Sequence, residues 1–422
     1  MRCIDFTEMT MLNWIQQMKK IILFILLSFV TLFADEDYEI KSLRIYQENI
    51  ETSFPISFFG SKISIEFDIK SEDTPTWEIH FMFCDKNWEP YESSLLADEM
   101  YNTERNLWFD VLPFRGDRAR YHYKESFPND NVKFPFSGKW MFFIQDAFDS
   151  DIIYGEGKFY VVNEVATNLE TSLTKNRLEG SNPVPAVFGE VFNIKVSVDL
   201  SDSLFVHRIQ EVEIIENKKI EFPITIGKTY DNEYRYYEID NANAFSFFVK
   251  DLKPGGAYRQ VDLLSRTKHS PPKTKAHFDG IETSNKFKPS GRDFFGGSRL
   301  KDYNNEYSEY MDVEFSIRPP KGYYQNIFVV GAFSEWDFYP EFMLKEKDGL
   351  FSTTVELKRG IYDYQYVVVD VVNNYIENIN WRELEGNSWE TNREYYIFLF
   401  YETEELGGYD KIIAYKRIRS GR

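Results

Sequence analysis

The stretch "KISIEFDIK", residues 62–70, decides the fold class because apolar and polar residues alternate along its whole length. One side of an extended chain carries three isoleucines and a phenylalanine there, and the other side carries lysine, serine and acidic residues. A period of two residues is the signature of a β-strand with one face on a core and the other in water. We therefore predict a strand whose solvent-exposed face includes Glu66 and Asp68.

Strands of the same kind recur along the chain. They include "TWEIHFMFCD" (76–85), "GKWMFFIQD" (138–146), "FNIKVSVDL" (192–200) and "MDVEFSIRPP" (311–320). Turns rich in Gly, Pro, Asn and Asp separate the strands, as tight reversals of the chain require. This succession predicts an all-β protein built of tandem immunoglobulin-like or early-set β-sandwich domains.

Shifts in composition suggest three domains after the N-terminal extension. We predict a first sandwich over 38–164, a middle β domain over 165–310 and an early-set-like sandwich over 311–422. The middle domain contains residues 267–305, which are poor in aliphatic residues and rich in Gly, Pro, Lys and Asp. A stretch of this length without periodicity predicts an extended loop that is functional or ordered by a partner.

The N-terminal extension has the pattern of a secretory signal peptide. In "MKKIILFILLSFVTLFA", residues 18–34, two lysines precede an apolar run that ends at Ala34 before acidic residues. The apolar run is ~13 residues long, whereas a membrane-spanning helix needs about 20. We therefore expect residues 1–34 to be removed on export, with Met18 as the expected start of translation.

The composition argues against disorder and against nucleic-acid binding. The chain has 422 residues, 18% of them aromatic, which supplies the large side chains of a packed core. Its formal net charge is −19, whereas proteins that neutralise phosphates present a basic face. The basic tail "KRIRSGR", 416–422, is interpreted as a solvated chain end.

The sequence predicts no catalytic, cofactor-binding or metal-binding residue. No histidine lies at a zinc spacing, and His269 and His277 flank a loop without a third ligand. The chain has no GxSxG nucleophile elbow and no phosphate-binding loop. Without the extension Cys84 has no disulfide partner, and we interpret it as a small hydrophobic residue. Acidic residues are abundant enough for a glycosidase pair, but abundance gives no position.

The segment 326–370 resembles glycogen-binding carbohydrate modules and related early-set domains. The shared elements are "GAFSEW", "DGLFSTTVELKRG" and "YDYQYVVVD". Trp336 matches the first sugar-stacking tryptophan of that family. The basic residue of the family is replaced by Gln365 or Tyr366, and the second tryptophan is missing after Asp370. The resemblance implies a retained fold with a changed surface, in which Trp336 either stacks on sugar or packs beside a turn.

A second resemblance extends over nearly the whole chain after the extension. Its markers, in order, are "SLRIY", "CDKNW", "YHYKESFPND", "SGKW" and the closing "EGNSWETNREYY" followed by "YD". This succession resembles the type IX secretion system plug protein family. The middle segment, 165–310, matches the family only loosely.

The plug resemblance implies a soluble periplasmic protein without catalysis or cofactor. Members of the family close the wide pore of a large outer-membrane β-barrel translocon at rest, and they meet the membrane only through that partner. As candidate partner contacts we single out four apolar residues that stand among charges in the long segment: Phe278, Phe287, Phe294 and Phe295. The competing interpretation is that these rings cap the underlying sheet.

Two other functions stay open at this point. The first is a secreted carbohydrate-binding β-sandwich protein that uses Trp336. The second is an exported glycoside hydrolase or an accessory protein of such an enzyme. No spacing of carboxylate residues in the sequence supports this function.

Overall fold

A computed structural model describes most of the chain after the N-terminal extension. The described residues are 38–97, 100–113, 118–163, 167–178, 186–227, 232–241, 243–286, 293–320, 326–372 and 375–421. The predicted signal peptide, residues 1–34, lies outside them. Within these ranges the regular structure is 26 β-strands and four short 3-10 turns, at Ala186–Gly189, Val206–Arg208, Pro340–Phe342 and Glu405–Gly407. No helix in these ranges is long and apolar enough to cross a membrane.

The first sandwich is built of nine consecutive strands. They are β1 (Glu39–Gln47), β2 (Ile56–Phe58), β3 (Ile63–Lys70), β4 (Trp77–Cys84), β5 (Thr103–Glu104), β6 (Asp110–Val111), β7 (Tyr121–Phe127), β8 (Gly138–Asp146) and β9 (Ile153–Val162). One sheet has the order β1-β3-β7-β6 and the other β2-β9-β8-β4-β5. The core between them is rich in aromatic rings, among them Phe67, Trp77, Phe81 and Phe142.

The second sandwich begins with six strands. They are β10 (Leu169–Arg177), β11 (Glu190–Asp199), β12 (Ile209–Glu216), β13 (Ile224–Gly227), β14 (Arg235–Ile239) and β15 (Ala244–Leu252). Four of them form the sheet β10-β11-β15-β14. The other two, β12 and β13, pair with each other and begin an opposing sheet that the chain completes much later.

The third sandwich follows before the second is complete. Its strands are β16 (Arg259–Asp262), β17 (Lys273–Lys275), β18 (Ser298–Leu300), β19 (Tyr310–Ile317), β20 (Ile327–Gly331), β21 (Lys345–Lys347), β22 (Leu350–Lys358), β23 (Gly360–Val372) and β24 (Tyr375–Asn380). One sheet has the order β17-β19-β22-β21. In the other, the long strand β23 pairs with β16, β18, β20 and β24.

The chain then returns to the second sandwich with β25 (Arg393–Thr403) and β26 (Tyr409–Ser420). These strands complete the sheet β13-β12-β25-β26, in which Ile214 of β12 lies opposite Ile397 of β25. Their apolar side chains close a core with those of β11 and β15. The third sandwich is therefore an insertion within the second.

The division at residue 310 predicted from composition is not a boundary between sheets. Strands β16 to β18 precede it but belong to the third sandwich, and β25 and β26 follow it but belong to the second. Local composition does not reveal a domain insertion, because the strands of the domain that receives the insertion are then far apart in sequence. The all-β class and the tandem sandwiches are as predicted.

The long segment 267–305 is not wholly the extended loop predicted from its composition. Its residues contribute β17, which runs parallel to β19, and β18, which pairs with β23. Between them, the carboxylate of Glu282 accepts hydrogen bonds from the hydroxyls of Tyr364 and Tyr366 and from the guanidinium of Arg259. The described residues of the segment therefore contribute to the third sandwich.

Strand β3 forms where its alternating pattern predicts, but its polar face is not in water. The third sandwich covers that face, and Asp68 is 1% exposed. Its carboxylate accepts hydrogen bonds from Lys358 Nζ at 2.6 Å and from Tyr310 OH at 2.7 Å, both in the third sandwich. His122 Nδ1 lies 2.7 Å from the same carboxylate. The prediction of a solvent-exposed face is corrected: this face is a polar interface between sandwiches.

The first and second sandwiches meet through an apolar interface. The ring of Tyr160 stacks on Phe398 at 4.3 Å between centroids, and Phe54 stacks on Tyr396 at 4.1 Å. A buried ion pair joins Lys139 Nζ to the carboxylate of Glu213 at 2.6 Å. Stacked rings and a pair of fully desolvated charges fix the geometry more narrowly than apolar contact alone.

The second and third sandwiches meet around aromatic rings and cations. Lys219 Nζ lies 4.1 Å from the centre of the Trp381 ring, and the guanidinium of Arg393 lies 4.2 Å from that of Tyr258. The hydroxyl of Tyr258 accepts a hydrogen bond from Asn217 Nδ2 at 2.7 Å. Each of the three sandwiches thus contacts the other two.

Candidate partner-binding surface

The phenylalanines proposed from the sequence do not form one exposed group. Phe278 is 47% exposed, whereas Phe294 is 8% exposed and lies in the interior. Phe295 is half-buried, and the guanidinium of Arg419 lies 5.1 Å from its ring centre. Phe287 lies outside the described residues. For Phe294 the capping interpretation fits, and partner contact stays a prediction for Phe278.

Trp336 is a core residue rather than a sugar-stacking platform. It is 1% exposed, and its indole nitrogen donates a hydrogen bond to the carbonyl of Gly296 at 2.7 Å. Gly296 has φ +84°, and a Cβ there would lie 3.0 Å from the indole nitrogen, so glycine permits this close approach. The ring of Tyr258 lies 4.5 Å away. No face of the indole is open to a sugar ring, which corrects the glycan-binding interpretation of Trp336.

The histidines of the long segment bond to hydroxyl groups. His269 Nδ1 lies 3.0 Å from Thr274 Oγ1, and His277 Nε2 lies 2.7 Å from Tyr364 OH. In the part of the chain that the structure describes, no three His, Cys, Asp or Glu side chains are grouped to hold a metal ion.

Cys84 is the last residue of β4 and is fully buried. Burial raises the pKa of its thiol to about 12, so the thiol is protonated at neutral pH. A protonated, buried thiol is a poor nucleophile and a poor metal ligand. The interpretation of Cys84 as a small hydrophobic residue fits this position.

The connection between β4 and β7 carries a run of exposed apolar side chains that the sequence did not single out. It contributes β5, which pairs with β4 at the edge of one sheet, and β6, which pairs with β7 at the edge of the other. The chain from β5 to β6 therefore crosses the open side of the sandwich. The exposed apolar residues among its described positions, here called the edge surface, are Leu95, Met100, Tyr101, Trp108 and Val111.

Trp108 is the most exposed of these residues, and its orientation follows from its neighbours. Leu107 and Phe109 are half-buried and pack on the core of the first sandwich. In extended chain, successive side chains point in opposite directions. Trp108 therefore points outward, and it is 91% exposed. An indole held in solvent by the packing of both neighbours is typical of a residue that a partner covers.

The edge surface lies away from the interface with the second sandwich. In the sheet β2-β9-β8-β4-β5, that interface uses β2, β9, Lys139 at the start of β8 and Lys86 just after β4, whereas the edge surface adjoins β5 at the opposite edge. It borders the third sandwich on its other side, where Tyr303 OH donates a hydrogen bond to Asp110 at 3.0 Å. A partner can therefore reach Trp108 without separating the sandwiches.

The sequence contains an apolar run at this surface, but the run does not by itself show that one of its residues is exposed. "NLWFD", residues 106–110, has three successive large apolar residues, which is equally typical of a buried strand. Only the crossing of the chain over the open side of the sandwich shows which of the three faces solvent.

The comparisons with known proteins agree with this architecture. Residues 40–163 match the family model described as the type 9 secretion system plug protein first domain. The fold is similar to that of a hypothetical protein from Parabacteroides merdae, seen in a crystal structure, with a TM-score of 0.73 and 18% sequence identity. The match covers 91% of this chain and 98% of that one, and at this identity it shows the fold alone. The comparison with curated proteins gives no match.

Proposed function

Residues 40–163 form a first domain of the type 9 secretion system plug family, and from this premise we propose that the protein is a non-catalytic periplasmic plug. In this role it closes the pore of the outer-membrane translocon in the resting state of the system. The observation that carries the proposal is the family match, whose limits coincide with those of the first sandwich, from β1 at Glu39 to β9 at Val162.

The task of a plug is steric, and the way the sandwiches pack suits that task. A body that blocks an aqueous pore has to resist deformation when solutes press on it. The three sandwiches contact one another through stacked rings, such as Tyr160 on Phe398, and through buried ion pairs, such as Lys139 with Glu213. Relative motion of two sandwiches would break these contacts together, so the described part of the chain acts as one block.

The edge surface supplies a place for the translocon to hold the plug. Exposed aromatic anchors dominate the binding energy of protein interfaces, and Trp108 has the exposure and the rigid mounting of such an anchor. A specific interface buries about 1,600 Å² in total, which a plug of this size can provide. Release during transport requires that this interface be modest, and a single apolar edge meets that condition.

The expected signal peptide over residues 1–34 supports the periplasmic location. In this role the protein is held at the outer membrane by its contact with the translocon.

The proposal is tested by outer-membrane permeability. A strain that lacks this protein but keeps its translocon is expected to take up a large hydrophilic fluorescent probe that the parent strain excludes. Complementation with the wild-type gene restores exclusion, and so does the Phe59→Ala variant, which changes an exposed ring at the opposite edge of the first sandwich. The Trp108→Ala variant is expected to restore it only partly. Unchanged permeability in the deletion strain would reject the proposal.

A further inference from the structure

The second sandwich contains an apolar cleft that is lined by none of the edge-surface residues. The cleft lies between the turn Val206–Arg208, which leads into β12, and the hairpin of β14 and β15. Its volume is about 470 Å³, within the range that ligand pockets occupy. No step of the plug proposal uses it.

The walls of the cleft are apolar and its floor is the core of the sandwich. Phe245 and Phe247 of β15 are buried and form the floor. Phe205 and Ile239 stand at the mouth, where they are 55% and 62% exposed. The turn that carries Phe205 is held by its backbone N–H, which donates a hydrogen bond to the hydroxyl of Tyr401 at 3.4 Å. The cleft is thus a preformed apolar site with an apolar entrance.

The rim of the cleft is acidic. The lining residue Asn243 donates a hydrogen bond to the carboxylate of Asp202 at 3.3 Å, and the lining residue Gln210 donates one to Glu402 at 2.7 Å. Both carboxylates are on exposed residues. Two basic side chains beside the cleft are already paired, Arg208 with Glu404 and Lys86 with Glu211. The local charge therefore favours a cationic ligand.

The backbone beside the mouth suits an extended chain. Strand β14, which ends at Ile239, is the last strand of the sheet β10-β11-β15-β14 in the described residues. An edge strand presents N–H and C=O groups that an added strand can pair with, while pockets beside it receive alternate side chains. A small apolar molecule would use the cavity alone and would gain nothing from the edge or from the acidic rim.

We propose that this cleft binds an extended segment of a partner polypeptide, with a large apolar side chain in the cavity and flanking Lys or Arg residues at the acidic rim. This inference does not depend on the plug role, since it concerns a different surface. It assigns to the second sandwich a recognition site for basic-apolar peptide segments.

The test uses the purified mature protein and three short fluorescent peptides, followed by fluorescence anisotropy. The first peptide has Phe between Lys residues, the second has Phe between Glu residues, and the third has Ala between Lys residues. We expect the first to bind at least about tenfold more tightly than either of the others, and its affinity to fall as salt is raised. Equal binding of the first two peptides, or of the first and third, would overturn the proposal.

Substitutions at the mouth of the cleft test whether the peptide binds there. Phe205→Ala and, separately, Ile239→Thr are expected to weaken binding of the first peptide, and both change exposed side chains. The matched control is Phe148→Ala, an exposed ring on the first sandwich, which is expected to bind as the wild type does. Unfolding temperatures confirm that each variant is folded.

The rim is tested by a double variant, Asp202→Asn with Glu402→Gln. It is expected to bind the first two peptides with similar affinity, because the source of the charge preference has been removed. An unchanged preference for the Lys-flanked peptide would overturn the assignment of the rim. A fatty-acid probe that binds wild-type protein while no peptide does would show a small-molecule site and overturn the proposal as a whole.

Discussion

Asp68 Oδ2 in β3 and Lys358 Nζ in β22 lie 2.6 Å apart, although 290 positions of sequence separate them and they belong to different sandwiches. Both side chains are at most 2% exposed. The same carboxylate also receives the hydroxyl of Tyr310 and faces Nδ1 of His122, on whose ring Tyr303 stacks at 3.7 Å. The first and third sandwiches are thus joined by a buried polar cluster, whereas the first and second are joined mainly by apolar rings.

Removal of one member of this ion pair is expected to destabilise the protein strongly. Asp68→Ala leaves the charge of Lys358 buried without its partner, which costs about 3–5 kcal/mol of unfolding free energy. The double variant Asp68→Ala with Lys358→Met is expected to regain part of that loss, because no buried charge is then uncompensated. Urea unfolding measures both, with Lys345→Ala on the exposed strand β21 as the control. A change within about 0.5 kcal/mol for Asp68→Ala would contradict the burial of the pair.

The same cluster predicts loss of stability in acid. Burial raises the pKa of Asp68, but the hydrogen bond with His122 and the charge of Lys358 outweigh burial and hold the pKa below its ordinary value of 3.8. For a carboxyl whose folded pKa is lowered, the stabilisation is complete above the unfolded pKa and is lost as the pH falls through the folded pKa. The wild type should therefore lose more unfolding free energy than Asp68→Asn between about pH 5 and about pH 3. If the unfolding free energies of the two proteins fall in parallel with pH, protonation of Asp68 does not cause the loss of stability.

Substitution of Trp336 distinguishes a packing role in the core from a role in sugar binding. Trp336→Ala removes a buried indole and its hydrogen bond to Gly296, with an expected loss of about 3–5 kcal/mol in unfolding free energy. Trp336→Phe keeps most of the packing and should lose less. Titration with α-glucans accompanies the unfolding curves. Wild-type binding of an α-glucan that disappears in a Trp336→Ala variant of unchanged stability would contradict the core position of this residue.

Substitution of Trp108 tests the edge surface directly. Trp108→Ala is expected to leave the unfolding free energy within about 0.5 kcal/mol, because the ring is in solvent. Its affinity for the detergent-solubilised translocon should fall about thirtyfold, the equivalent of ~2 kcal/mol for an interface anchor. Phe59→Ala, at the opposite edge of the sandwich, serves as the control and should bind unchanged. Equal affinities of Trp108→Ala and wild type would remove Trp108 from the interface.

Local sequence patterns predicted the strands but not how sheets and sandwiches associate. The alternation of Ile63, Ile65, Phe67 and Ile69 is sufficient for β3, because side-chain direction in a strand follows from residue parity. It could not show that Asp68 on the other face is buried, since the covering residue, Lys358, is remote in sequence. The pairing of β12 with β25 could not be predicted either, because the two strands are remote from each other in sequence.

The exposure of the candidate surface residues could not be predicted from local sequence either. The resemblance carried by "GAFSEW" placed a strand and a turn correctly, yet the exposure of Trp336 depends on Gly296 and Tyr258, which come from another part of the chain. The phenylalanines of segment 267–305 looked stranded among charges, but Phe294 lies inside the fold. Trp108 was missed because three adjacent apolar residues give no sign of which one faces outward.

The proposed closure of an outer-membrane pore by bulk and fit can be measured as ion conductance through the isolated translocon. The translocon, purified without the plug, is reconstituted in a planar bilayer, and the mature protein is added to the periplasmic side. We expect large open-channel currents that fall towards zero with wild-type protein and that persist at the same concentration of Trp108→Ala. Currents that wild-type protein leaves unchanged, at a concentration where it is bound to the translocon, would contradict pore closure by this protein.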